Sequence, residues 1–223
     1  MRQALQELTL AGAGKSSGGA AAAPRRGQRA RVLRIIGGSW RGRRLRFPAS
    51  PAIRPTPDRV RETLFNWLGA HVPGARALDL FAGSGALGLE ALSRGARQVS
   101  FVEQDAAAVA ELRARLAEWC ASDSPAGTAE VHRADALRFL AGAAQPFDLV
   151  FLDPPFASAL AARAAQRLST GGWLAAGALI YLECAARGPL PALPEDWQAL
   201  RAKQAGEVGY HLFARTAHTV SPP

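Results

Sequence analysis

Apolar residues recur along this chain in two alternating rhythms. Ala77-Leu78-Asp79-Leu80-Phe81, Gln98 to Glu103 (QVSFVE) and Phe147-Asp148-Leu149-Val150-Phe151-Leu152 are short, nearly continuous apolar runs, the pattern of strands covered on both faces. Between them, Ala86 to Leu92, Asp105 to about Trp119 and Ala159 to Leu168 carry their apolar residues at helical spacing. Ala129 to Arg133 and Leu179 to Leu182 read as further strands, and Trp197 to Lys203 with Val208 to Phe213 as a closing pair. Strands alternating with helices predict an α/β fold on a mostly parallel sheet with right-handed crossovers. Such sheets bind ligands at the carboxyl ends of their strands, where Asp79, Glu103, Asp135 and Asp153 fall.

The N-terminal part follows a different pattern. Val32 to Phe47 (VLRIIGGSWRGRRLRF) has two strand-like runs around a glycine-bearing turn and predicts a β-hairpin. A helix follows, with Thr56 as N-cap, Pro57 in its first turn, Asp58 against its dipole, and Val60, Leu64, Trp67 and Leu68 on one apolar face. Residues 1–30 are rich in Ala, Gly, Ser and Arg without apolar period and are expected to be disordered. Gly12-Ala13-Gly14-Lys15-Ser16 in that tail ends like a phosphate-binding loop. The first glycine of that pattern is replaced by Thr9, however, and no helix-forming stretch follows. The expected organisation is a tail (1–30), a basic hairpin and helix (31–72) and a catalytic domain (73–223).

Charge sharpens this division. Residues 1–72 hold 14 Arg and Lys against 3 Asp and Glu, whereas residues 73–223 hold 13 against 15. A positive N-terminal third points to a polyanionic partner, and arginine suits bidentate phosphate contacts. Arg34, Arg41, Arg43, Arg44 and Arg46 decorate the hairpin, with Trp40 among them as a base-stacking candidate; Arg54 and Arg59 extend the basic surface. A solvated face with Trp40 packed against the main domain is the bland alternative. The two cysteines, Cys120 and Cys184, have no metal-ligand spacing, so no metal site is expected. With no secretory signal or membrane-length apolar run, a cytoplasmic location is expected.

The chain is organised around Ala77 to Gly95 (ALDLFAGSGALGLEALSRG), a strand that turns through glycines into a helix. Gly83 to Gly88 fits G-x-G-x-x-G, and Glu103 stands 20 positions after Gly83, a spacing that suggests NAD. Asp79 tells against NAD, because a carboxylate there repels a pyrophosphate. It would instead attract a ligand bearing an ammonium and a sulfonium, such as S-adenosylmethionine. Asp153-Pro154-Pro155-Phe156 then supplies a second chemistry. Prolines donate no N–H, so the turn presents carbonyl acceptors on a stiff backbone beside the Asp153 carboxylate. Those acceptors can grip the exocyclic amine of a nucleobase and align its lone pair with an electrophilic methyl, while Phe156 stacks on the extruded base. Asp153 as a mere helix cap is the alternative reading.

DLFAGSGALGLEALSRGA, the acidic end of FVEQD and LVFLDPPF resemble the S-adenosylmethionine-dependent amino-methyltransferases. With RIIGGSWRGRRL and RPTPDRVRETLFNWL, the stretch from about Arg31 to Arg215 resembles the bacterial 16S rRNA (guanine-N2)-methyltransferase family of the RsmD type. The resemblance implies a Rossmann-like class I fold with a seven-stranded sheet. It also implies that Asp79, Phe81, Gly83 and Gly85 surround the methionine end of S-adenosyl-L-methionine, that Glu103 holds the ribose and that Asp135 holds the adenine amino group. Asp153, Pro154, Pro155 and Phe156 would hold the target guanine. The hairpin would contact 16S rRNA within a small-subunit assembly intermediate, and the protein would act as a monomer. A DNA amino-methyltransferase would share the catalytic segment but lacks a large target-recognition domain here. A non-catalytic RNA-binding assembly factor is the reading from another class, against which Asp79, Glu103 and Asp153 all stand intact.

Overall fold

A computed structural model of the chain describes residues 31–47, 56–122, 127–155 and 159–216. The tail, its Gly12 to Ser16 fragment, Arg54 and Phe156 lie outside the described residues, and so does the side chain of Arg46. Strands β1 (Arg31–Arg34) and β2 (Arg44–Phe47) pair antiparallel as the expected hairpin. Strands β3 (Arg76–Asp79), β4 (Gln98–Glu103), β5 (Thr128–Arg133), β6 (Phe147–Leu152), β7 (Leu174–Ala185), β8 (Trp197–Ala205) and β9 (Val208–Arg215) form one seven-stranded sheet in the order β5-β4-β3-β6-β7-β9-β8. β3 to β7 are parallel, and β9 runs antiparallel to β7 and β8. The chain's path reverses between β3 and β6, the switch point at which open α/β sheets hold their ligands.

Among the described residues, five α-helices cover the sheet: α1 (Asp58–Leu68), α2 (Ala86–Ser93), α3 (Ala106–Ser122), α4 (Ala136–Phe139) and α5 (Leu160–Thr170). Ala77, Leu149, Phe151, Leu179 and Tyr181 pack with α1, α2, α3 and the hairpin, while Leu78, Leu80, Val150, Leu152, Ile180 and Leu182 pack with α4 and α5. Successive strand residues therefore bury on opposite faces, which explains why the central strands read as unbroken apolar runs. The same alternation sends Asp79 and Glu183 to the α1–α2–α3 face.

Several local expectations are corrected. β3 ends at Asp79 rather than Phe81, because Phe81 to Gly85 already belong to the turn. β7 begins at Leu174, and its pairing with β6 shifts between Phe147 and Leu149, so the strand is three times as long as the apolar run suggested. Thr56 is not an N-cap: α1 starts at Asp58 with no side-chain cap, and the Thr56 hydroxyl donates instead to Glu183 Oε1 at 2.6 Å. Arg61, on α1, is fully buried. Trp40 is corrected from a base-stacking residue to a core residue. It is fully buried, edge-on to Trp119 with ring centroids 5.2 Å apart, and burial of so large a ring outweighs anything it gains at the surface.

Candidate active site

The turn from β3 to α2 is built on left-handed glycines. Gly83 has φ 51° and Gly85 φ 75°, angles that cost any other residue steric strain. A Cβ on Gly83 would project into open space, its nearest neighbour the Phe81 carbonyl at 3.9 Å, so the turn leaves its main chain approachable. The Gly83 N–H donates to Glu103 Oε2 at 2.9 Å, and the other Glu103 oxygen accepts from the Asp105 N–H at 2.8 Å. Glu103 is thereby fixed at the carboxyl end of β4, with a second lone pair on each oxygen still available. Asp135, at the end of β5, caps α4 through the Arg138 N–H (2.9 Å) and keeps its other oxygen uncommitted among the described residues. It lines a cleft of about 340 Å³ with Gln104, Arg133, Ala134, Arg138 and Phe139. The cleft joins one aromatic and one small apolar wall, Phe139 and Ala134, to the polar side chains of Gln104, Arg133 and Arg138, with carboxylate acceptors at the ends of β4 and β5, a mixed lining that a nucleoside can use.

Asp79 lies under the turn. It is buried, and one oxygen accepts from the Gly88 N–H at 3.0 Å. Burial pushes its carboxyl up to about 7, Gly88 opposes the shift and the Glu103 charge adds to it. A buried carboxylate with a raised proton affinity and no ion-pair partner among the described residues is a site prepared for a cation. The residues present fit S-adenosyl-L-methionine: an anion for its charged end, Glu103 for the ribose and Asp135 at the nucleoside cleft.

Beyond β6 the chain enters Asp153-Pro154-Pro155, with Asp153 partly buried, Pro154 buried and Pro155 exposed. Leu152 pairs in register with Leu182, so Asp153 and Glu183 follow the last paired residues of β6 and β7. Asp79 pairs with Phe151 on the other flank. Burial, then Glu183, then Asp79 hold the Asp153 carboxyl well above the usual carboxylate range. The structure thus brings Asp79 and Asp153 together, which spacing alone did not show. It adds Glu183, Tyr181 and Thr56, which sequence reasoning missed. Glu183 is an acid ending the central apolar run Leu179 to Leu182, a signal of the same kind as Asp153 after β6.

The basic hairpin is tied to the other end of α2. Glu90, fully buried, accepts from the Ile36 N–H (2.8 Å), the Gly37 N–H (2.8 Å), Arg94 Nε (2.7 Å) and Arg61 Nη1 (3.4 Å). Arg61 also donates to Asp58 Oδ1 and to the Arg34 carbonyl. Ser93 accepts from the Trp40 N–H at 2.9 Å and donates to the Gly37 carbonyl at 2.6 Å. Arg43 turns inward, its guanidinium over the rings of Trp40 and Trp119 and donating to the Trp119 carbonyl. Arg34, Arg41, Arg44 and Arg59 remain exposed.

The family model described as "Conserved hypothetical protein 95" matches residues 33–214. The chain is 49% identical over 185 residues to Ribosomal RNA small subunit methyltransferase D of Escherichia coli strain K12, covering 83% of this chain and 91% of that protein. Among solved structures it resembles "Putative methyltransferase yhhF from Escherichia coli" at 45% identity and a TM-score of 0.75, covering 84% of this chain and 99% of that one. A Salinibacter ruber RNA methyltransferase solved with S-adenosyl-L-homocysteine shares the fold at 17% identity and a TM-score of 0.55, over 76% of this chain and 98% of the other.

Proposed function

The chain belongs to the RsmD-type family described as conserved hypothetical protein 95, and from that premise we propose that it methylates the exocyclic N2 of a guanine in 16S rRNA. The proposed substrate is a small-subunit assembly intermediate and the methyl donor is S-adenosyl-L-methionine. The observation that carries the reading is the position of Asp153. It stands directly past β6 at the sheet's switch point, next in order to Asp79 on β3, with the Asp-Pro-Pro turn between the nucleoside side of the sheet and β7.

The donor, when bound, supplies an electrophilic methyl: the guanine N2 lone pair forms the N–C bond as the S–C bond breaks, its electron pair passing to sulfur. The chain's residues do the rest. Asp79 offers a buried negative charge to the donor's cationic end, while Gly83 and Gly85 let the main chain come close. Glu103 and Asp135 accept from ribose and adenine. The Asp153 carboxylate and the Pro154 carbonyl accept the two N–H groups of the target amine, turning its lone pair toward the methyl, and Asp153 takes the proton that nitrogen releases. Arg34, Arg41, Arg44 and Arg59, with Arg46 and Arg54, form the phosphate-contacting surface of the 31–72 unit, and Phe156 stacks on the base.

The reading is tested by incubating the full chain with methyl-labelled donor and ribosomal particles lacking the modification, then mapping the labelled nucleotide. Label on one guanine N2 of 16S rRNA is the expected result. Label on DNA, or on no nucleic acid, overturns it.

A further inference from the structure

Glu183 is buried, 3% exposed, on the last turn of apolar sequence in β7. Its Oε1 accepts two hydroxyls, Thr56 Oγ1 at 2.6 Å and Tyr181 Oη at 2.8 Å, both themselves buried. The first comes from the residue before the Pro57-Asp58 start of α1, the second from two positions earlier on the same strand. Three buried polar groups therefore converge at the carboxyl end of β7, in line with Asp153 at the end of β6. A carboxylate is an expensive choice for that place, since a buried hydroxyl pair can be satisfied by a neutral amide.

We propose that Glu183 is a positioning residue for methyl transfer, held in one orientation by Thr56 and Tyr181 so that its negative charge stands at the strand end next to Asp153 and helps Asp153 take the proton that the amine releases. The inference rests on the reading of Asp153 as acceptor for the target amine, and extends it. Asp153 has two successive tasks: it accepts hydrogen bonds as an anion while the amine is positioned, and it takes a proton once nitrogen becomes positive. A cationic donor nearby favours the anion in the first step. When the methyl leaves, that charge has moved to the amine, and the repulsion from Glu183 drives the proton onto Asp153. Burial raises the Glu183 carboxyl, and the hydroxyls of Thr56 and Tyr181 oppose that rise by favouring its charged form. Among the described residues, the other ionisable groups facing this pair are Asp79 from β3 and Tyr181 and Cys184 from β7, with Tyr210 from β9 facing Tyr181. From α1, Arg61 is committed to Glu90 and Asp58 and does not neutralise it.

Glu183→Gln separates charge from packing, because the amide oxygen still accepts both hydroxyls. Tyr181→Phe removes one donor and leaves the carboxyl in place. Single-turnover methyl transfer to unmodified small-subunit particles is followed from pH 5.5 to 9 for the wild type and both variants, with melting temperature and donor affinity alongside. Glu183→Gln is expected to melt near the wild type, bind donor normally, transfer about 10- to 100-fold more slowly, and show the acidic limb of its rate profile at lower pH. Tyr181→Phe is expected to move the limb in the same direction by less, and it decides the matter if the Gln variant does not fold. An active wild type whose variants keep its limb, with any rate loss following the melting temperature, overturns this inference alone. A wild type that transfers no methyl to these particles overturns the underlying reading, and this inference with it.

Discussion

Asp79 makes pH a direct probe of the donor site. Its folded-state carboxyl is raised to about 7, so the folded protein holds a proton that the unfolded chain releases near 3.8. The stability this contributes is present at low pH and is lost as pH rises through about 7. The unliganded protein should therefore melt at lower temperature at pH 8 than at pH 5.5, and Asp79→Asn should flatten that slope. Binding of a cationic donor has the opposite sign, since only ionised Asp79 attracts it. Calorimetric titration should show S-adenosyl-L-methionine affinity rising from pH 6 to pH 8, with Asp79→Asn weakening binding by about 1.5–3 kcal/mol and losing the pH dependence. Sequence placed Glu103 and Asp153 at strand ends because each closes an apolar run, whereas Asp79 lay inside the run that the turn cuts short and Asp135 follows the part-exposed β5. It missed Glu90 and Arg61 because a single charge inside an amphipathic pattern reads as solvated until its partners, here 53 and 29 positions away, are known, and it passed over Glu183, which ends an apolar run but whose partner Thr56 lies 127 positions away.

At the level of elements, the hairpin and α2 act as one piece. The Glu90 carboxylate replaces the backbone partners that Ile36 and Gly37 lack at the hairpin's turn, and its charge is balanced by Arg61 and Arg94. Glu90→Ala leaves Arg61 buried with less compensation and should cost about 3–5 kcal/mol, read as a drop in denaturant midpoint. Trp40→Ala should cost about 3–5 kcal/mol as well, a stability effect that a base-stacking role would not produce. Gly88 tests the opposite end of α2. An added Cβ there would overlap the Phe101 ring, so the third glycine of G-x-G-x-x-G serves helix-to-strand packing. The hairpin itself was legible from its apolar runs and central glycines. Trp40's role was not, since an aromatic among arginines looks the same from sequence whether it faces solvent or the helix that carries Trp119.

Over the whole molecule, charge and chemistry occupy different parts of one sheet-centred body: a basic N-terminal unit, and a carboxylate-lined edge where β3, β4, β5 and β6 end. If the exposed arginines contact phosphate, substituting Arg34, Arg41 and Arg44 together by Gln should make the log–log salt dependence of RNA affinity shallower by about 2–3 and leave donor affinity unchanged. Arg43 is excluded from that set because it packs on Trp40 and Trp119. The measurement closest to the central claim is single-turnover methyl transfer by Asp153→Asn, with melting temperature and donor affinity taken on the same preparation. Asparagine keeps the shape but sets a donor against the amine it should hold, so transfer should fall about 10²- to 10³-fold while stability and donor binding stay near the wild type. Near-normal transfer by the Asn protein would contradict the account, and would leave Asp153 as a structural turn residue.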